Sequence, residues 1–263
     1  MSKHVLILGG HGKVSQHLTP ILLKKSWTVT SIIRTQDQVP AIEKLAPSSS
    51  ASGKLNVLVR SIEDVTSQQK AQAILDEVKP DTIFWSAGAG GKGDPSRTFT
   101  IDRDAAIHFI NAAVATPSIK KFILVSYLSS RKTKPTWWSD KAWQDALDGN
   151  KKLYNYSLAK IAADEALWQE SRRRTDGFAG ISLRPGLLTE EPAGKIEFGK
   201  TKEAKGTSSR QTVAEVAALI AENDSFTTSW VDLLDGDEDP MTAVDRVAKE
   251  KVDVAVGEEF YKA

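Results

Sequence analysis

Val5-Leu6-Ile7-Leu8-Gly9-Gly10-His11-Gly12-Lys13-Val14-Ser15 decides the reading of this chain. Four apolar residues without alternation describe a strand buried on both faces. His17, Leu18, Ile21 and Leu22 then recur at helical spacing. Between strand and helix lies a turn whose first and fourth residues, Gly9 and Gly12, are glycines. A diphosphate must approach bare backbone N–H groups at a helix N-terminus, and side chains at the turn would block it. The turn is therefore read as a dinucleotide phosphate cradle formed by Gly9, Gly12, Lys13 and Val14. Ser15 stands where the longer glycine pattern has its last glycine, and it is small enough for close helix–strand packing.

Outward from this turn the alternation continues. Val29 to Ile33, Val57 to Val59, Thr82 to Trp85, Phe122 to Val125 and Gly180 to Leu183 read as further buried strands, with Trp230 to Leu233 as the last. Helical patterns lie between them, at Ala71-Ile74-Leu75-Val78, Ala106-Phe109-Ile110-Ala113 and Leu158-Ile161-Ala162. A further helix over Val213 to Ile220 follows a capping box, Thr212-x-x-Glu215. Alternation of this kind predicts right-handed βαβ units. The fold class is α/β: a doubly wound Rossmann-type parallel sheet with helices on both faces. One domain over 1–263 is expected, with a small C-terminal substrate-side lobe drawn from 131–150 and 185–263. Arg131 to Asn150 reads as an unusually long loop carrying Trp137, Trp138 and Trp143, which either lid a flat substrate or fasten the loop to the body. Pro47 to Gly53 reads as a polar loop.

Composition narrows the function. At 263 residues the chain is near the limit of one hydrophobic core. Its net charge of +1, from 35 basic and 34 acidic residues, gives no reason to expect a nucleic-acid or membrane-surface partner. There is no cysteine, which excludes disulfides, thiolate catalysis and cysteine-bound metal. His4, His11, His17 and His108 stand apart with no second ligand at a metal-like spacing, so no metal site is expected. The opening apolar run is too short for a signal sequence, and a cytoplasmic location is expected.

The second strand ends Ile33-Arg34-Thr35. An NAD-specific site asks for an acidic residue there, to accept from the ribose 2′-OH. Arg34 suits the 2′-phosphate of NADP(H) instead, with Thr35 as an added hydroxyl donor, and no carboxylate intervenes before Asp37. NADP(H) is thus expected over NAD. Ile62 and Glu63, after the third strand, are candidates for the adenine. Ala87, Gly88 and Ala89, in the small-residue run Ser86 to Gly91, let backbone lie near the adenosine ribose and diphosphate.

Taken together these stretches resemble an atypical member of the short-chain dehydrogenase/reductase superfamily. The likeness is greatest to a subgroup of fungal NAD(P)-binding proteins related to NmrA-like and biliverdin/flavin-reductase-like proteins. It rests on Gly9 to Val14, Ile33 to Val39, Ser86 to Gly93, Phe122 to Ser126, Tyr156-Ser157-Leu158-Ala159-Lys160 with Ala163-Asp164, and Leu183 to Leu188. The resemblance implies the fold and the cofactor. It leaves the substrate open, since some relatives sense the cofactor without turning it over.

Tyr156 and Lys160 are four apart in a helical pattern and share a face. Such a pair can serve a carbonyl reductase, with Tyr156 as proton donor and Lys160 lowering its pKa while holding the nicotinamide ribose. Ser126 is the candidate to polarise the substrate oxygen, with Ser129 in reserve. Asp102 stands where well-studied relatives carry an asparagine. Pro185, in Arg184-Pro185-Gly186, is expected from the resemblance near the nicotinamide. The leading expectation is an NADPH-dependent oxidoreductase acting on a small carbonyl or quinone-like substrate. The alternatives are a non-catalytic NADP(H) sensor and a flavin/biliverdin-type reductase in which Tyr156 is a spectator. Both monomer and homodimer fit the sequence.

Overall fold

A computed structural model of the protein describes residues 3–47, 53–90 and 94–262. Strands β1 (His4–Leu8), β2 (Thr28–Ile33), β3 (Leu55–Val59), β4 (Thr82–Trp85), β5 (Lys121–Val125) and β6 (Ala179–Pro185) fall where the apolar runs predict them. After them come β7 (Leu187–Thr189), β8 (Ile196–Gly199), β9 (Thr207–Ser209) and β10 (Ser229–Asp235). The main sheet runs β3-β2-β1-β4-β5-β6-β10-β8, parallel except for β8, which pairs antiparallel with β10. The order reverses between β1 and β4, and that reversal opens a crevice at the carboxyl ends of the two strands.

The strands are apolar throughout because both faces are covered. Val5 and Ile7 of β1 join one core with α1 (Lys13–Lys24), α8 (Arg210–Glu222) and α9 (Pro240–Glu250). Leu6 and Leu8 point the other way, into a core with α3 (Gln68–Val78), α5 (Ala106–Ala115) and α7 (Tyr154–Ser171). A short helix, α2 (Val39–Glu43), follows β2. Full burial of an aliphatic side chain such as Leu18 or Leu6 is worth roughly 1.5–3 kcal/mol, so both layers are strongly held. Among the described residues no helix is long and apolar enough to cross a membrane.

Two local expectations change, and an alternative left open by the sequence is narrowed. The stretch from Arg131 to Asn150 is not one long loop, because Asp140–Lys152 forms α6, capped by Ser139, whose hydroxyl accepts from Ala142 N–H. Only Ala142 and Ala146 of α6 are buried, and alanines leave little periodic signal in a sequence. The α8 cap also lies three residues upstream of the Thr212-x-x-Glu215 box. Ser209 is the N-cap, accepting from Thr212 N–H at 2.9 Å. Finally, the tryptophans fasten rather than lid. Trp138 is buried against Leu128, Ala142, Ala146 and Ala204, and its indole N–H donates to Thr201 O at 2.9 Å. The Arg131 guanidinium lies 5.0 Å from its ring centre and 5.5 Å from that of Trp137.

Of the polar loop at Pro47 to Gly53, residues 48–52 lie outside the described residues. After β4 a short helix, α4 (Ser96–Thr98), runs into a π-helical segment, Phe99–Ala105, and on into α5. Widened turns of this kind recur at functional sites, and this one carries Asp102.

Candidate cofactor and active site

The turn after β1 leaves room for an anion and for little else. Gly9 has φ +89°, a left-handed conformation, and a Cβ there would lie 2.6 Å from Ala87 N and 2.8 Å from Ser86 C. A Cβ on Gly10 would meet Ser31 Oγ at 1.8 Å. Gly12 is the N-cap of α1, and no side chain caps that terminus. The orphan N–H groups of the first turn, with the positive end of the helix dipole, are what a diphosphate needs. Gly9→Ala combines a strained φ with backbone collisions that no side chain can relieve. We expect the variant to lose its nicotinamide-nucleotide binding and to melt several degrees lower, at about 2–4 °C per kcal/mol for a chain of this size. Paired titration and thermal denaturation would check both.

The turn forms one end of a groove of about 310 Å³ at the β1/β4 reversal. Of the residues assigned to the cofactor from sequence, Gly9, Gly12, Arg34, Ile62, Glu63, Ala87, Gly88 and Ala89 line it. Lys13, Val14 and Thr35 do not. Lys13 pairs with Glu190 at 2.6 Å, Val14 packs into the core, and Thr35 caps the turn Gln36–Gln38. Lys13 and Val14 can serve the cradle through their backbone amides, whereas the Thr35 hydroxyl is committed to its own turn. Gly91, the last of the small-residue run, and Lys92 and Gly93 after it lie outside the described residues.

Gln38, Arg60 and Arg97 also line the groove and were missed from sequence. The Gln38 side-chain oxygen accepts from Arg34 N at 3.0 Å, which fixes the chain just past β2. Arg97 grips Glu63 through Nη2 at 2.6 Å and Nε at 3.3 Å, holding that carboxyl below its ordinary pKa. A detectable signal existed for Arg60, which follows β3 just as Arg34 follows β2. Arg97 follows an irregular stretch and carries no such marker.

A second cluster lies where β5 meets α7. Lys160 is buried, donates to Val125 O at 2.8 Å and stands 3.7 Å from Asp102. Asp102 in turn accepts from Ala89 N–H at 2.9 Å, which links this cluster to the cofactor groove. Burial raises the Asp102 carboxyl pKa despite the Lys160 charge. The Tyr156 ring lies 5.7 Å from Lys160 Nζ and 5.2 Å from the Tyr127 ring. Burial first, and then the Asp102 charge, push the Tyr156 hydroxyl above its ordinary pKa. Burial thus works against the lowering by Lys160 that the sequence suggests.

Ser126 does not face the groove as a free donor. Its hydroxyl donates to Asp164 Oδ2 at 2.6 Å, and Ser130 donates to the same oxygen at 2.7 Å. Arg184 completes the group, 3.3 Å from Asp164 and 2.9 Å from Asp232, and all three charged side chains are fully buried. The reserve, Ser129, is turned toward Ala204 O at 3.4 Å. Pro185 ends β6, and its carbonyl accepts from Leu128 N–H.

The donor set fits a nicotinamide dinucleotide: bare glycines where a Cβ would collide, an uncapped helix start, and guanidiniums at the far end of the groove. A family model described as NAD(P)H-binding matches residues 9–224. The chain belongs to the NAD(P)H-binding family. Its Rossmann-type fold is shared with solved structures of oxidoreductases and reductases. UPF0659 protein C216.03 of Schizosaccharomyces pombe is 30% identical over 235 residues, covering 88% of this chain and 89% of that one. The oxidoreductase ylbE of Lactococcus lactis superposes with TM-score 0.71 at 20% identity, covering 94% of this chain and 97% of its own. ChuY of Escherichia coli O157:H7, an anaerobilin reductase, superposes with TM-score 0.64 at 20% identity, over 90% of this chain and 99% of its own. At these identities the two structures bear on the fold alone.

Proposed function

We propose that this NAD(P)H-binding protein is an NADPH-dependent reductase of a small carbonyl or quinone-like acceptor. The observation that carries the cofactor choice is the end of β2. Arg34 lines the groove where an NAD-specific site needs a carboxylate. Glu63, the nearest acidic residue lining the groove, is held by Arg97. When bound, NADPH supplies hydride from C4 of its nicotinamide.

The protein's own groups supply position and a proton. The amides after Gly12 hold the diphosphate, Arg34 the 2′-phosphate, Ile62 the adenine face, and Ala87 to Ala89 the ribose edge. Lys160 is the group nearest Tyr156 able to hold the second ribose. Tyr156, kept as a neutral phenol by burial, is a donor in the reductive direction: its proton goes to the oxygen that gains charge as hydride arrives. A second reading is favoured by Ser126. With its proton given to Asp164, it offers no donor to a substrate carbonyl. That suits a bilin acceptor, the class for which ChuY is named, or a flavin.

Arg34→Ala is expected to weaken NADPH about 10–100-fold, the worth of a charge-assisted bond to phosphate, and NADH little. Fluorescence titration with both cofactors checks this, followed by a panel of quinones, aldehydes, ketones and flavins. Equal losses for NADPH and NADH would remove the 2′-phosphate assignment. Tight NADPH binding with no turnover across the panel would make the protein a cofactor sensor instead.

A further inference from the structure

We propose that Arg60 is a second specificity-determining residue, and that Arg34 and Arg60 form a two-guanidinium pincer for a phosphate monoester on the adenosine ribose. This rests on the NADPH reading and deepens it. The geometry comes from strand register. Ile33 of β2 is paired with Val59 of β3, and Arg60 N–H donates to Ile33 O at 2.9 Å. Arg34 and Arg60 are thus the next residues on neighbouring parallel strands, and both line the same groove.

Packing does not account for the pair. Their side chains are 58% and 52% exposed, and like charges on adjacent strands repel. Arg34 stands 3.9 Å from Glu63 and Arg60 3.7 Å from Glu77, both at the outer limit of ion pairing. Arg97 differs: it takes Glu63 at 2.6 Å and so draws the one carboxylate lining this end, among the described residues, away from Arg34. Among the residues lining this end three guanidiniums face one carboxylate, with Glu77 outside the groove 3.7 Å from Arg60, so the lining carries an excess of positive charge. A phosphate monoester, at about −1.5 to −2 near neutral pH, complements that excess. The 2′-hydroxyl of NADH, to which an NAD-specific site offers a carboxylate, finds the one lining carboxylate among the described residues, Glu63, already held by Arg97.

The test uses adenosine 2′,5′-bisphosphate and 5′-AMP, which differ only in the 2′-phosphate, so that no turnover is needed. The full-length protein, Arg34→Ala, Arg60→Ala and the double variant are titrated calorimetrically with each. The unsubstituted protein should prefer the bisphosphate by at least about tenfold. Arg60→Ala should cut that preference about tenfold and leave 5′-AMP affinity nearly unchanged, Arg60→Lys should restore part of it, and the double variant should abolish it. The pincer is overturned if Arg60→Ala leaves the preference intact, or if it weakens both ligands equally. If Arg34→Ala alone collapses the preference, the NADPH reading stands without the pincer. If the unsubstituted protein shows no preference, the NADPH reading itself fails.

Discussion

Replacing Tyr156 by phenylalanine is expected to lower NADPH-dependent reduction of a carbonyl or quinone acceptor about 10²–10⁴-fold, the usual worth of a positioned proton donor. NADPH affinity should stay nearly unchanged, because the variant keeps the ring and loses one hydroxyl. The direction of proton flow follows from the surroundings. Burial and the Asp102 carboxylate both favour the neutral phenol, while Lys160 spends its charge on Asp102 and its hydrogen bond on Val125 O. A phenol that resists ionisation is a good proton reservoir and a poor base. The reductive rate should therefore show no loss from this group below about pH 10, the ordinary tyrosine value. A steady-state comparison of the two proteins, with kcat separated from KM, reads the effect. Activity that persists in Tyr156→Phe with flavin or a bilin, but not with carbonyls, would select the second acceptor class and make Tyr156 a spectator.

Asp164→Ala should be among the most destabilising single changes in the molecule. Asp164 is fully buried, and its Oδ2 accepts from Ser126 and Ser130 beside Arg184. Arg184 is itself fully buried, and also donates to Asp232, Ser130 O and Leu128 O. Removing the carboxylate leaves a fully buried guanidinium short of one counter-charge. Breaking a buried pair in this way costs about 3–5 kcal/mol. For a chain of this size that corresponds to a fall in Tm of roughly 6–20 °C. Asp164→Asn keeps an acceptor oxygen and should lose less. Calorimetric or denaturant unfolding of both variants checks the ranking. A loss below 1 kcal/mol in Asp164→Ala would mean that the network is relaxed by solvent.

These two residues mark what a sequence can and cannot disclose. The strand–turn–helix at Val5 to Ser15 was legible because glycine spacing and apolar runs are local. The Tyr156–Lys160 spacing was legible for the same reason. What Lys160 faces was not, since Asp102 reaches it from a π-helical turn more than fifty residues earlier in the chain. Ser126 was read as a free donor because its partner Asp164 lies across the fold. Arg184 looked like part of a cofactor-side turn, yet its side chain runs inward. Arg60 is the instructive omission. Its position follows from aligning the ends of β2 and β3, a comparison that sequence reasoning permits once both strands are placed. The α6 helix was hidden by its alanines.

The account depends on the amides at the start of α1 receiving a diphosphate. Titration of the purified protein with NADPH and NADH, followed by nucleotide fluorescence or calorimetry, tests this most directly. The expected result is saturable one-site binding of both cofactors, NADPH the tighter by at least about tenfold. The absence of any response to either cofactor at millimolar concentration would contradict it.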